Sequence, residues 1–251
     1  MNPNSTPLAD RVAVIAGGAG AIGYATATRL ATAGASIVLL GRDDPSRLAA
    51  FASELPGRGH RSVQASITDH DSLAQAADQV RSIWDRVDIL VNAAGYTKAV
   101  DHADLDALDD TLIDAVFAAN WRGPFATIRA FAPLLRASGD GLIVNVSSIA
   151  ASTAIGSNVA YCGAKAALDN MAAALGRALA PAIRVLNVAP GVVDSDFVPG
   201  RDAAWNDKAA AATPLKRLGT AEDVAAAIEA CATSLRFATG TVIQVDGGRH
   251  L

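Results

Sequence analysis

The chain has 251 residues, 51% hydrophobic and 18% charged, with a net charge of −4 and a pI near 5.5. That is enough apolar material for a sizeable core and excludes a disordered chain. The acidic balance and the lack of a basic stripe argue against a nucleic-acid partner.

Short apolar runs at Val12–Ala16, Ile37–Leu40, Arg61–Ala65, Ile89–Val91, Leu142–Val146, Arg184–Val188 and Val242–Val245 predict strands. Most are continuous rather than alternating, as strands buried on both faces require. Helical patterns fall between them, at 21–33, 45–54, 70–85, 104–118, 121–137, 158–179 and 221–233. This alternation predicts an α/β fold of right-handed βαβ units, a parallel sheet with helices on both faces. No linker interrupts it, so residues 1–251 are read as one domain. The least regular stretch, 194–218, is expected to be a substrate lid with a short helix of its own.

The segment Met1 to Asp10 has no apolar leader, and no run of 18 apolar residues follows. A cytoplasmic protein without a membrane partner is therefore expected. Two cysteines, Cys162 and Cys231, do not make a disulfide framework. His60, His70, His102 and His250 have no metal-ligand spacing, so no metal is expected.

The first strand runs into Ala16-Gly17-Gly18-Ala19-Gly20-Ala21-Ile22-Gly23 and then a helix. Glycines there let the backbone approach a pyrophosphate seated at the positive end of the helix. The second strand ends in Leu40-Gly41-Arg42. An acid at this place would hold the ribose hydroxyl of NAD. Gly41 offers no carboxylate, and Arg42 offers a fork of donors for a 2′-phosphate. NADP(H) is thus preferred, with NAD(H) as the other candidate; a purely solvated Arg42 is the plain alternative. Asn92-Ala93-Ala94-Gly95 follows the fourth strand, where small residues let the backbone pass close to a ring system.

Tyr161 and Lys165 stand one helical turn apart, and Ser148 precedes the tyrosine by thirteen residues. A phenol is a poor acid–base group near neutrality. An ammonium about 5 Å away at an effective dielectric near 20 would favour the phenolate by roughly 3 kcal/mol. Taken alone, the pair would be an ordinary solvated helix face.

Together with Asn120, Pro190-Gly191 and Val245-Asp246-Gly247-Gly248, these motifs resemble the short-chain dehydrogenase/reductase family. The resemblance is to its single-domain branch of about 250 residues and runs from about Asp10 to Gly248. The chain is similar to the 3-oxoacyl-ACP reductase-like members. The resemblance implies a Rossmann-type, doubly wound fold with a seven-stranded parallel sheet. It also implies NAD(P)-dependent interconversion of a ketone or aldehyde and an alcohol, in a homotetramer or homodimer.

By the same resemblance, Tyr161 is the general acid/base and Lys165 its partner, which also holds the nicotinamide ribose. Ser148 binds the substrate oxygen, and Asn120 orders a water behind the lysine. The cofactor contacts would be Gly17, Gly20, Ala21, Ile22, Gly23, Arg42, Ile67, Asn92, Gly95, Tyr161, Lys165, Pro190, Gly191, Val193 and Ser195. Ala16, Ala21, Ser66, Ala93 and Ser195 depart from residues common in the family, and none of them is among the four catalytic positions.

The substrate pocket should lie beyond the strand ends. Tyr96, Ser148, Ile149, Ala150, Ile155, Asn158, Val192, Phe197 and Trp205 are its candidate walls. Most are apolar or small, so a neutral carbonyl or alcohol is expected. Arg201, Lys208 and Lys98 are the cations within reach of such a pocket. A small-residue face on 159–179, with Ala160, Gly163 and Ala167, would allow close packing of a second copy. The alternative to an enzyme is a non-catalytic NADP-binding regulatory protein on the same scaffold.

Overall fold

The computed structural model describes residues 6–200 and 202–251, so Arg201 lies outside the described residues. Seven strands form one sheet: β1 (Val12–Ala16), β2 (Ser36–Gly41), β3 (Arg61–Gln64), β4 (Ile89–Asn92), β5 (Gly141–Val146), β6 (Ile183–Pro190) and β7 (Thr241–Val245). Their order is β3-β2-β1-β4-β5-β6-β7, and every pairing is parallel. This is the parallel sheet expected from the alternation of strands and helices, in the doubly wound Rossmann-type order that the family resemblance implies.

The continuous apolar strands work because each face of the sheet meets its own helix layer. Ala13, Ile15, Ile37, Leu39, Ile89 and Val91 point to one face. There they meet Leu30 of α1 (Ala21–Thr32) and Val224 and Ile228 of α9 (Ala221–Thr233). Val12, Val14, Val38, Leu40, Leu90 and Ile143 point to the other face. They meet Leu73 of α3 (His70–Arg81), Phe131 of α5 (Gly123–Ala137) and Leu168 of α7 (Val159–Ala178). Alternate residues of one strand therefore serve two cores, and neither face can carry a polar residue cheaply. The remaining long helix, α2 (Pro45–Glu54), starts at an Asp44 cap with proline in its first turn.

Three helices differ from the expected bounds. The pattern at 70–85 forms α3 only to Arg81, where Ser82 caps it and Ile83 N turns back to Val80 O at 3.1 Å. The pattern at 104–118 forms α4 only over Asp110–Phe117. Before it, Asp101 and Asp104 accept from Ala103 N and Ala107 N, forming local turns that compete with helix. Asp109 then caps α4 by accepting from Leu112 N at 2.8 Å. The start expected near 121 is a π-helical turn, Ala118–Arg122, which joins α4 to α5 without a break. That turn carries Asn120, and such single π turns are common at functional positions.

The irregular stretch 194–218 holds α8 (Ala203–Ala211), as expected. Its two ends are clamped together. Asp194 N donates to Gly219 O at 3.0 Å, and Gly219 N donates to Val192 O at 2.9 Å. A short helix, α6 (Ala150–Thr153), follows β5. Among the described residues, no helix is long and apolar enough to cross a membrane.

Candidate active site

The strand order reverses between β1 and β4, and a crevice opens there beyond the carboxyl ends of the strands. The glycine turn after β1 forms one wall. Gly17 has φ +80°, and a Cβ on it would stand 2.6 Å from Ala94 N. A Cβ on Gly23 would stand 2.1 Å from Gly17 O. The turn thus packs backbone on backbone, which leaves room for no side chain. Gly20 is the N-cap of α1 and supplies no side chain, so the first-turn amides of α1 face outward. That is a ready-made cradle for a phosphate.

The cleft measures about 770 Å³. Of the expected cofactor residues, Gly20, Ala21, Ile22, Gly23, Gly95, Tyr161, Lys165, Pro190, Gly191, Val193 and Ser195 line it. Gly17, Arg42, Ile67 and Asn92 do not. Gly17 is packed under the turn. Ile67 packs on Gly123, with its Cδ1 only 2.7 Å from where a Cβ there would sit. Arg42 is exposed past the end of β2. Asp43 is engaged by Arg47 at 3.5 Å, and Asp44 caps α2 through Ser46 N at 2.8 Å. Arg42 therefore pairs with no acid among the described residues.

Tyr161 and Lys165 lie on α7, whose first turn is fixed by Asn158. Its Oδ1 accepts from Tyr161 N at 2.7 Å. Its Nδ2 donates to Lys98 O at 2.8 Å and Thr97 Oγ1 at 3.2 Å. Asn158 is fully buried and committed to its own chain, so the expected substrate contact does not hold. Its place is to aim the helix. Tyr96 is exposed and does not line the cleft, although its carbonyl takes part in the site. Ser148, Ile149, Ala150, Ile155, Val192, Phe197 and Trp205 do line it. The cations Lys98 and Lys208 are exposed and do not.

Lys165 is 5% exposed, and its Nζ donates to Val146 O at 2.7 Å. Nζ also stands 5.6 Å from the centre of the Tyr161 ring. Burial lowers its pKa to about 8, opposed by the charge of Asp169 one turn further on. Burial pushes the Asp169 carboxyl up, while Ser147, Asn187 and Lys165 hold it down. Ser148 Oγ accepts from Ala150 N at 3.1 Å, which leaves its proton free to donate into the cleft. Asn120 donates to Tyr96 O at 2.6 Å and Val116 O at 2.8 Å. Its Oδ1 is buried beside Gly95 with no donor. A buried acceptor of that kind is where a water belongs.

Two features escaped the sequence reading. Asp169 follows Lys165 by one helical turn, and that i,i+4 spacing was a usable signal. Arg249 lines the lid side of the cleft from the turn after β7, and no local pattern marks it. Among the described residues, no cluster of side chains could hold a metal ion.

The family profile described as Enoyl-(Acyl carrier protein) reductase matches residues 17–250. The chain belongs to the short-chain dehydrogenase/reductase family. It is 36% identical over 249 residues to the cis-4-hydroxycyclohexanecarboxylate dehydrogenase of Sinomonas cyclohexanicum, covering 96% of each chain. It is 31% identical over 245 residues to the 3-oxoacyl-[acyl-carrier-protein] reductase of Thermotoga maritima, covering 96% of this chain and 98% of that one. A short-chain type dehydrogenase/reductase from Mycobacterium ulcerans superposes with a TM-score of 0.88 at 30% identity. That match covers 97% of this chain and 90% of the other. The protein is an NAD(P)-dependent oxidoreductase of CH–OH and carbonyl groups.

Proposed function

We propose that the chain interconverts a ketone or aldehyde and an alcohol, with Tyr161 as general acid/base and NADP(H) as its preferred cofactor. The observation that carries this reading is the phenol and the Ser148 hydroxyl in one cleft, with a buried ammonium behind the phenol. The glycine turn, the strand-end Gly95 and the loop from Pro190 to Ser195 fit a nicotinamide dinucleotide. When bound, it supplies or takes the hydride at the carbonyl carbon.

In the reducing direction negative charge grows on the carbonyl oxygen. The Ser148 proton meets that charge, and Tyr161 delivers its own proton to the oxygen. Lys165 stabilises the phenolate left behind, and a water on Asn120 Oδ1 gives the proton a path back. The oxidising direction reverses each transfer. Ile149, Ala150, Ile155, Val192, Phe197 and Trp205 form mainly apolar walls, which suit a substrate with a hydrocarbon body.

Arg42 supports the NADP preference, because both neighbouring acids have other partners and its guanidinium is available for a 2′-phosphate. We also read the protein as one cytoplasmic domain, 1–251, that assembles as a dimer or tetramer. Gly163 of α7 is exposed next to Phe117, and Phe117 and Phe125 are each 36% exposed. A second copy would cover that face.

Four outcomes test this reading. Tyr161→Phe should lower turnover by about 1,000-fold, with NADPH binding by fluorescence changed little. Retained turnover would sink the mechanism. Arg42→Ala should weaken NADPH by about tenfold and NADH hardly at all; equal losses would remove Arg42 from phosphate recognition.

Lys165 is needed charged, and in the folded protein it loses its proton as pH rises through about 8. Carbonyl reduction should therefore fall on the alkaline side. Asp169→Asn removes a charge that favours the ammonium, so the fall should begin at lower pH. An unmoved alkaline limb in the kcat/KM profile would exclude that coupling. In light scattering the protein should have at least twice the monomer mass, and a monomer at micromolar concentration would overturn the assembly.

A further inference from the structure

The lid side of the cleft holds a cation that the proposed chemistry does not use. Arg249 follows β7 in a tight turn that Asp246 fixes. Asp246 accepts from Gly248 N at 2.9 Å and His250 N at 2.8 Å, and it also pairs with the His250 ring. Gly247 and Gly248 adopt φ +65° and +85°, so the turn needs glycine at both places. Arg249 Nη1 donates to Ala209 O at 2.9 Å and Thr213 Oγ1 at 3.4 Å, at the carboxyl end of α8. One corner of the guanidinium is therefore bolted to the lid helix.

The opposite edge, Nε and Nη2, has no acceptor among the described residues, and no acid pairs with Arg249. Those two donors lie side by side and match the two oxygens of a carboxylate. The residue is half-buried in a wall it shares with Trp205 and Ala212. A partly desolvated cation without a counter-charge among the described residues is costly, and a bound anion offsets the cost. The other ionised groups of the cleft do not serve this edge. Lys165 is behind the phenol, and Asp196 is exposed at the rim with no ion pair to Arg249. Among the described residues no second cation lines the lid side of the cleft, so the site suits a single negative charge better than a double one.

We propose that Arg249 is a specificity-determining residue that binds a carboxylate on the substrate, making the substrate an oxo or hydroxy acid with an apolar body. This rests on the oxidoreductase reading above and revises the neutral substrate expected from the sequence.

The test compares 4-oxocyclohexanecarboxylate with cyclohexanone, using NADPH, in the natural protein, Arg249→Gln and Arg249→Lys. The natural protein should favour the oxo acid in kcat/KM by about 30-fold, the scale of one charge-assisted bidentate contact. Arg249→Gln should lose that preference through the KM of the oxo acid, any loss from the lid contacts being shared by cyclohexanone, and Arg249→Lys should recover part of the preference. Equal losses on both ketones, no preference in the natural protein, or a loss confined to the KM of NADPH would each overturn the proposal.

Should neither ketone react, titration of the NADPH-bound protein with cyclohexanecarboxylate by cofactor fluorescence decides separately. Saturable binding abolished by Arg249→Gln supports the anion site while the oxidoreductase reading fails on these ketones. Binding that is absent, or the same in both proteins, overturns the anion site.

Discussion

A lysine ammonium buried under the strand ends is the constraint around which this site is organised. Lys165 is 5% exposed, and water can do little for its charge. The fold answers with a carbonyl at 2.7 Å, an aromatic ring and a carboxylate one turn away, and the pKa settles near 8. A lysine left wholly uncompensated would be driven lower still and would no longer be a cation at neutral pH. The position is therefore a balance, in which burial gives the charge its reach and Asp169 preserves it.

That carboxylate needs partners of its own, and they extend across the sheet. Asn187 donates to Asp169 at 2.7 Å, Asn145 donates to Asn187 at 2.8 Å, and Asn92 donates to Asn145 at 2.8 Å. The three asparagines sit in register on β4, β5 and β6. An ionised carboxylate can only accept, so it fixes which way each amide points, one after another. A single carboxylate on α7 thereby orders one amide on each of three neighbouring strands. A one-residue slip of any of them would leave buried amides unpaired, so the ladder also specifies register. At its far end Asn92 Oδ1 has no donor, and neither does Asn120 Oδ1 beside Gly95. Each such acceptor costs about 1–3 kcal/mol. Two of them at one strand end are tolerable where water or a bound ligand supplies the missing hydrogens.

The sheet was legible because a strand buried on both faces is apolar over most of its length, and β1 reads that way residue by residue. The glycine turn was legible for a related reason: Gly17 and Gly23 stand where any Cβ would strike backbone. Asn158 was misread because its identity alone does not separate a wall residue from a cap. Its burial and three hydrogen bonds do. The start of α4 was misread because Asp101 and Asp104 bond their own backbone, a competition that helical periodicity does not register.

Cofactor and substrate halves differ in legibility for a physical reason. A pyrophosphate is held by backbone amides, so its site is written as glycines at short spacing, close together in the chain. A substrate is held by side chains gathered from several elements, each able to serve packing equally well. Arg249 shows the difference. What distinguishes it from the exposed Lys98 and Lys208 is the end of α8, which sits 40 residues earlier and takes one corner of its guanidinium. The charge becomes informative only once the lid helix has fixed which edge of it is left over.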